Sequence, residues 1–256
     1  TMFAQHIKIT KLKKYILVFF FVIAGCGVVS DEPVILDSAF TEHYALIKRG
    51  ETGAARVRLR QFMSKHGESS QPLFLMGLSY HSEKKYAKAV EWLEKSINPK
   101  LEIYPPALHY LGWSQFYLGN AKQAGDAFKQ FLLIHPEEAD SIFALGLLSM
   151  EEGNLAEAKE HFSHAVRAEP RNKIIRAKAT ARWADVLVQL DDWENATGLY
   201  RDALSRNPDM YEAWYRYATA LKRIGRYKES EQAFASFEQA RRRVRPDLYQ
   251  RTRFPE

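Results

Sequence analysis

Between Pro105 and Pro136 (PPALHYLGWSQFYLGNAKQAGDAFKQFLLIHP) apolar residues recur every three or four positions, stop, and recur again. Leu108, Leu111, Gly112 and Leu118 mark a first helix, and Ala124, Ala127, Phe128 and Phe131 a second. This is the period of helices that each bury one face. Gly119-Asn120 falls between the two, and glycine readily enters the left-handed conformation that closes a helix. Pro136 stops the second helix. Small residues on both helices let them cross closely. The stretch therefore predicts a helix-turn-helix unit.

The rest of the chain copies it. Units start at Leu36, Ser70, Pro105, Ala139, Ala177 and Tyr211, at spacings of 34, 35, 34, 38 and 34 residues. The eighth position holds Gly77, Gly112, Gly146, Ala184 and Ala218; the first unit departs with His43. The twentieth is small in every unit (Ala55, Ala89, Ala124, Ala158, Ala196, Ser230), and the twenty-fourth is large (Leu59, Leu93, Phe128, Phe162, Tyr200, Phe234). Pro99, Pro136, Pro170 and Pro208 close units, and Gly50, Gly119, Gly153 and Gly225 mark turns. An atypical first unit suits the end of a stack, where one face meets solvent. The four-residue excess, at Arg171–Arg176, is about one helical turn, so the first helix of the fifth unit is expected to start early and protrude.

These columns resemble the tetratricopeptide repeat, whose period is about 34 residues. The resemblance covers residues 36–244 as six units: 36–69, 70–104, 105–138, 139–176, 177–210 and 211–244. It implies an all-α, right-handed α-solenoid that acts as a protein-binding scaffold, with no cofactor and no catalytic residue.

Charge narrows the partners. The formal net charge is +6, but residues 1–25 carry +4 and residues 241–256 another +4, leaving −2 for residues 27–240. The repeats thus lack the basic face that nucleic acid requires. The basic tail, 245–256, has two readings. Leu248, Tyr249 and Phe254 fold back on the last repeat, or the arginines stay solvated, where anionic lipid headgroups are a further candidate contact.

The N-terminus carries a second signal. Lys8, Lys11, Lys13 and Lys14 precede the apolar run Tyr15–Val22, and Ile23-Ala24-Gly25-Cys26 follows. A basic region, an apolar core and small residues make a secretory signal over 1–25. The last four residues resemble a bacterial lipobox, which implies cleavage before Cys26 and acylation of its thiol. Cys26 is the one cysteine in the chain, so no disulfide framework competes for it. The uninterrupted apolar run, Tyr15–Val29, is 15 residues long, short of the roughly 20 that a spanning helix needs. The resemblance places the protein in the cell envelope, and on the periplasmic side of the outer membrane if the host is Gram-negative. A linker, 26–35, keeps the repeats near the membrane.

In tetratricopeptide arrays the first helix of each unit lines a concave face. Carried onto this chain, the groove residues are Phe40, Tyr44, Phe74, Leu78, His109, Trp113, Phe116, Tyr117, Phe143 and Leu147, with His81 and Met150 beside them. The last two units place Lys178, Asp185, Gln189, Glu212, Tyr215, Lys222 and Arg223 there. The expected groove is aromatic at one end and charged at the other. Large aromatics are what protein interfaces use as anchors. At the fifth and ninth positions of the first four units, Phe40/Tyr44, Phe74/Leu78, His109/Trp113 and Phe143/Leu147 stand in place of the lysine and asparagine clamp of chaperone-tail binders. A peptide or protein segment with apolar side chains is the expected partner.

Catalysis finds no support. His161 and His164 share a polar helix surface with no third metal ligand in the pattern. Neither a Gly-x-Ser-x-Gly elbow nor a glycine-rich phosphate loop occurs. Self-association of the array through an incompletely capped last unit is the competing non-enzymatic reading.

Overall fold

A computed structural model of the chain describes residues 36–168 and 172–250, without the side chains of 249 and 250. The signal segment, Cys26, the linker, Pro170 and the arginines at 251 and 253 lie outside the described residues.

The described residues are all-helical. After a short 3-10 turn, Ser38–Phe40, come α1 (Thr41–Lys48), α2 (Thr52–His66), α3 (Ser70–Ser82), α4 (Tyr86–Ser96), α5 (Pro106–Tyr117) and α6 (Ala121–Ile134). Next are α7 (Ala139–Glu151), α8 (Leu155–Ala168), α9 (Lys173–Gln189), α10 (Trp193–Arg206), α11 (Tyr211–Arg223), α12 (Tyr227–Val244) and a single turn, α13 (Asp247–Gln250). The helices pack as six sequential pairs, α1/α2 to α11/α12, and the second helix of each pair also packs on the first helix of the next.

The packing follows from the repeated columns. A methyl group on Gly77 would stand 2.6 Å from Leu93, and one on Gly112 or Gly146 would stand 2.6 Å from Phe128 or Phe162. The missing side chain is what lets the eighth and twenty-fourth positions meet. Small residues at the twentieth position are buried in all six pairs. The one serine among them, Ser230, donates its hydroxyl to the carbonyl of Ala218 at 2.8 Å, so its extra polar atom is satisfied inside the core.

Six turns join the pairs internally. Four place glycine at positive φ, as at Gly119 (+78°). The other two place Lys84 (φ 59°) and Asp191 (φ 58°) in the same region. A side chain there costs about 1–2 kcal/mol, and at Asp191 the carboxylate also accepts from the Trp193 indole at 3.2 Å. α9 begins at Lys173, earlier in its unit than the other first helices. Asn172 caps it by accepting from the backbone N–H groups of Ile174 and Ile175. Ile174 on the added turn is 39% exposed.

Candidate functional site

The first helices of successive pairs touch one another: α1 on α3, α3 on α5, α7 on α9 and α9 on α11. This contact decides which predicted groove residues are reachable. Phe74 is fully buried, with its ring 4.9 Å from Tyr104 and 5.7 Å from Tyr110 of the next unit. Phe40 and Leu78 belong to the same core. Phe143 is buried against Phe162 at 5.6 Å. For these four the expectation of an open groove is corrected, because packing within and between pairs draws them into the core. Tyr44 is half-buried against the core, with the Lys48 ammonium 5.8 Å from its ring. Leu147 and Met150 are half-buried.

One accessible aromatic cluster lies at the C-terminal half of α5; a second, of Tyr211, Tyr215, Phe234 and Phe237, lies on the last helix pair. Trp113 and Phe116 are half-buried, and Tyr117 is 53% exposed. The Trp113 and Tyr117 rings stack at 5.8 Å, and Phe116 stands edge-on to Trp113 at 5.4 Å. Tyr86, from the start of α4, stacks on Tyr117 at 4.6 Å with 22° between planes. Sequence projection missed Tyr86 because it lies on a second helix. A signal existed: the same column holds Leu155, Trp193 and Tyr227. His81 borders this cluster, 5.4 Å from Tyr86, and its Nδ1 lies 2.9 Å from the Ser114 hydroxyl. Burial, followed by the charge of His109, pushes His81 down to about 4, so it is neutral at neutral pH.

Beneath the aromatic cluster lies a buried polar knot. His109, expected in the groove, is 5% exposed instead. Its Nδ1 is 2.9 Å from the Ser141 hydroxyl and 3.5 Å from Glu138, and its Nε2 is 3.6 Å from Asp140. Glu138 caps α7 by accepting from the backbone N–H groups of Asp140 and Ser141. Asp140 accepts from the Trp113 indole at 2.8 Å, which fixes that ring at the surface. Burial disfavours the Glu138 carboxylate, but the hydrogen bond and charge of His109, with Ser141, overcome this and hold it at about 2. Asp140 shifts the other way: burial raises it, and Glu138 adds to the rise against His109, Trp113 and Lys178.

A depressed Glu138 has a signed consequence. Its contribution is complete above about pH 4.5 and is lost as pH falls towards 2. At about 1.4 kcal/mol per unit, it is on the order of 3 kcal/mol. Asp140, raised, offsets part of this. Glu83 also titrates low, because Lys85, Thr52 and Arg56 overcome its burial, so a variant is needed to isolate Glu138. Glu138→Gln is expected to be less stable than wild type at neutral pH and to approach it in acid. Urea unfolding at both ends of that window checks this, and an unchanged gap refutes it.

At the other end, Asp185 is 7% exposed rather than open to the groove. Its Oδ2 accepts from Arg182 and Arg216, each at 3.0 Å, and its Oδ1 accepts from the Tyr200 hydroxyl at 2.5 Å. Lys178 is half-buried, whereas Gln189, Glu212, Lys222 and Arg223 are exposed. Tyr215 is 52% exposed; among the described residues no further first helix packs on α11. His161 lies 3.5 Å from Glu157, and His164 lies 3.3 Å from Glu137. Among the described residues no three metal-ligating side chains converge, and no helix is long and apolar enough to cross a membrane.

Paired helices stacked through glycine and aromatic columns, with aromatics at the surface of the first helices, define a helical repeat scaffold for binding proteins. The chain belongs to the tetratricopeptide repeat family: a profile described as tetratricopeptide repeat matches residues 111–173 and 182–244, and a second of the same description matches 70–98. Arrays of this kind are typically non-catalytic. Among curated proteins, cellulose synthase 1 operon protein C of Komagataeibacter xylinus is 32% identical over 80 residues, which is 31% of this chain and 6% of that protein. A cellulose synthase operon protein C of the same organism is 34% identical over 76 residues, 30% of this chain and 5% of its own length. The chain thus spans about one-twentieth of these relatives. Among solved structures, Pseudomonas aeruginosa pilF matches with TM-score 0.67 at 18% identity, over 81% of this chain and 90% of that one. MamA matches with TM-score 0.56 at 17% identity, over 66% and 96%. At these identities the likeness shows the fold alone.

Proposed function

We propose that this protein is a lipid-anchored scaffold that binds a peptide or protein segment at the aromatic cluster of α5 and serves the assembly of an envelope complex. The observation that carries the reading is the stacked set Tyr86, Tyr117 and Trp113 with Phe116, which joins two successive pairs and leaves Tyr117 half-exposed. Large aromatics bury much area on binding and lose little rotamer freedom. Trp113 is held in place by Asp140 rather than left mobile, which lowers the ordering cost further. Cys26 supplies the anchor, so the binding face stands close to a membrane.

Two arms test this. Trp113→Ala/Phe116→Ala, beside the gentler Tyr117→Ala, is expected to lose a partner that the wild type captures from envelope extracts. An identical set of captured proteins from all three would refute the cluster as the docking site. Cys26→Ala is expected to release the protein from membranes. A mutant that still sediments with membrane after a carbonate wash removes the anchor from the proposal.

A further inference from the structure

The bonds around Asp185 leave more positive charge than the fold uses. Asp185 sits on α9, at the position equivalent to Trp113 on α5 and Leu147 on α7. Its two oxygens are taken by three donors: Arg182 of its own helix, Arg216 of α11 and the buried Tyr200 hydroxyl. One carboxylate balances one guanidinium. The other is uncompensated within the cluster, and Lys178, one turn before Arg182, adds a second positive charge. Both arginines stay reachable, with 36% and 37% of their side chains exposed, while the Asp185 side chain is 8% exposed. A guanidinium carries several N–H donors in a planar fork, and each of these two spends one on Asp185. The buried aspartate thus fixes two partly exposed forks side by side, each with N–H donors that it does not use. Glu212, one turn before Arg216, is exposed.

Charged groups lie between this pair and the aromatic cluster. Trp113 donates to Asp140, Asp140 lies within electrostatic reach of Lys178, and Lys178 precedes Arg182 on α9. From α5 to α9 is two first-helix steps, at the least about 16–20 Å, taking roughly 8–10 Å for a closely packed step. An extended segment covers that span in about five or six residues.

We infer that Arg182 and Arg216 form an anion subsite for a carboxylate of the bound segment, one span away from its aromatic or aliphatic anchor. This rests on the inner-helix face being the docking site. The residues differ from the lysine and asparagine clamp that the first four units lack. Here paired arginines from neighbouring helices act, aligned by an internal aspartate. Charge-assisted bonds to arginine are about twice as strong as neutral ones, so the subsite discriminates an acidic side chain from its amide.

The experiment uses two fluorescein-labelled peptides. Each has Leu-Phe, about five glycine and serine residues and then Glu-Glu, or Gln-Gln in the twin; both are made in either chain direction to span the estimated distance. Binding to the full-length chain is followed by anisotropy. The glutamate peptide is expected to bind about tenfold more tightly than its twin, and this preference is expected to shrink as salt is raised. In Arg182→Gln/Arg216→Gln the preference is expected to vanish while the twin binds as before. The wild-type comparison needs no variant, so a poorly folding mutant does not remove the test. Equal binding of both peptides to wild type, with both weakened by Tyr117→Ala, overturns the anion subsite and leaves the aromatic site standing. Equal binding that is untouched by Tyr117→Ala overturns the subsite and also counts against the aromatic site. No binding of either peptide overturns the subsite, and the capture comparison then decides the aromatic site alone.

Discussion

Phe128→Ala is expected to destabilise the protein by about 3–5 kcal/mol, the range for emptying a buried phenylalanine site. The ring is fully buried and fills the space left by Gly112. It also stands edge-on to Trp113 at 5.4 Å and to His109 at 6.3 Å, so its loss undermines the surface aromatic and the polar knot together. Ala124, Ala144, Leu145 and Leu148 line the same core and are too short or too constrained to refill it. For a protein of this size the melting temperature should fall by about 6–20 °C, at roughly 2–4 °C per kcal/mol. A fall as small as that of a surface substitution would show that the column is not the packing centre described. A second substitution makes the test sharper. Gly112→Ala alone forces a methyl group to within 2.6 Å of Phe128 and should destabilise. In the Phe128→Ala background that obstacle is gone. The same change should then stabilise by up to about 1 kcal/mol, through helix propensity. A sign reversal measured by urea unfolding would tie the two columns to each other. Equal effects in both backgrounds would refute the contact.

The helix pairs were legible in the sequence because each depends on contacts inside one unit. Gly112 against Phe128 and Gly146 against Phe162 lie sixteen residues apart in both units and recur with the period. The early start of α9 was legible for the same local reason, as a spacing excess of one turn. The turn at Asp191 was legible as well, since aspartate enters positive φ more readily than most residues, whereas the one at Lys84 was not, because lysine does not favour that region. The binding face was harder to read. Phe74 and Tyr215 occupy the same column, yet Phe74 is fully buried and Tyr215 is 52% exposed. The difference is whether another first helix packs on that column and how closely it approaches. That approach depends on how units stack, and helical periodicity does not encode it. Of the ten groove residues, Trp113, Phe116 and Tyr117 come together as an accessible cluster, whereas Phe40, Phe74, Leu78 and Phe143 serve the core. Asp185 was misplaced by the same reasoning. A charged residue in a groove column suggested solvent, but the donors that satisfy it come from α9, α10 and α11.

Asp185→Ala is the second large effect expected. Breaking a buried ion pair from one side costs about 3–5 kcal/mol when the remaining charge stays buried. Here both arginines already reach water, with more than a third of each side chain exposed, so they rehydrate on losing the aspartate. The Tyr200 hydroxyl does not, because its residue is 1% exposed. Burial first, and then the adjacent Asp185 charge, push the Tyr200 phenol above its usual range, so it remains a donor that needs an acceptor. An unsatisfied buried hydroxyl costs about 1–3 kcal/mol. The expected total therefore sits near 2–3 kcal/mol, below the full ion-pair figure. Tyr200→Phe removes the donor and keeps the ring. Alone it should cost about 1.5 kcal/mol, the low end for a hydrogen bond to a charged group. In the Asp185→Ala background it should cost nothing, or stabilise, because the orphaned hydroxyl disappears with it. A double-mutant cycle by urea unfolding measures the coupling. Strict additivity would mean that Tyr200 and Asp185 do not depend on each other, and would refute the bond between them as a source of stability. A strong coupling would show that the two residues stabilise the fold as one hydrogen-bonded unit, the same carboxylate that Arg182 and Arg216 bond from the surface side.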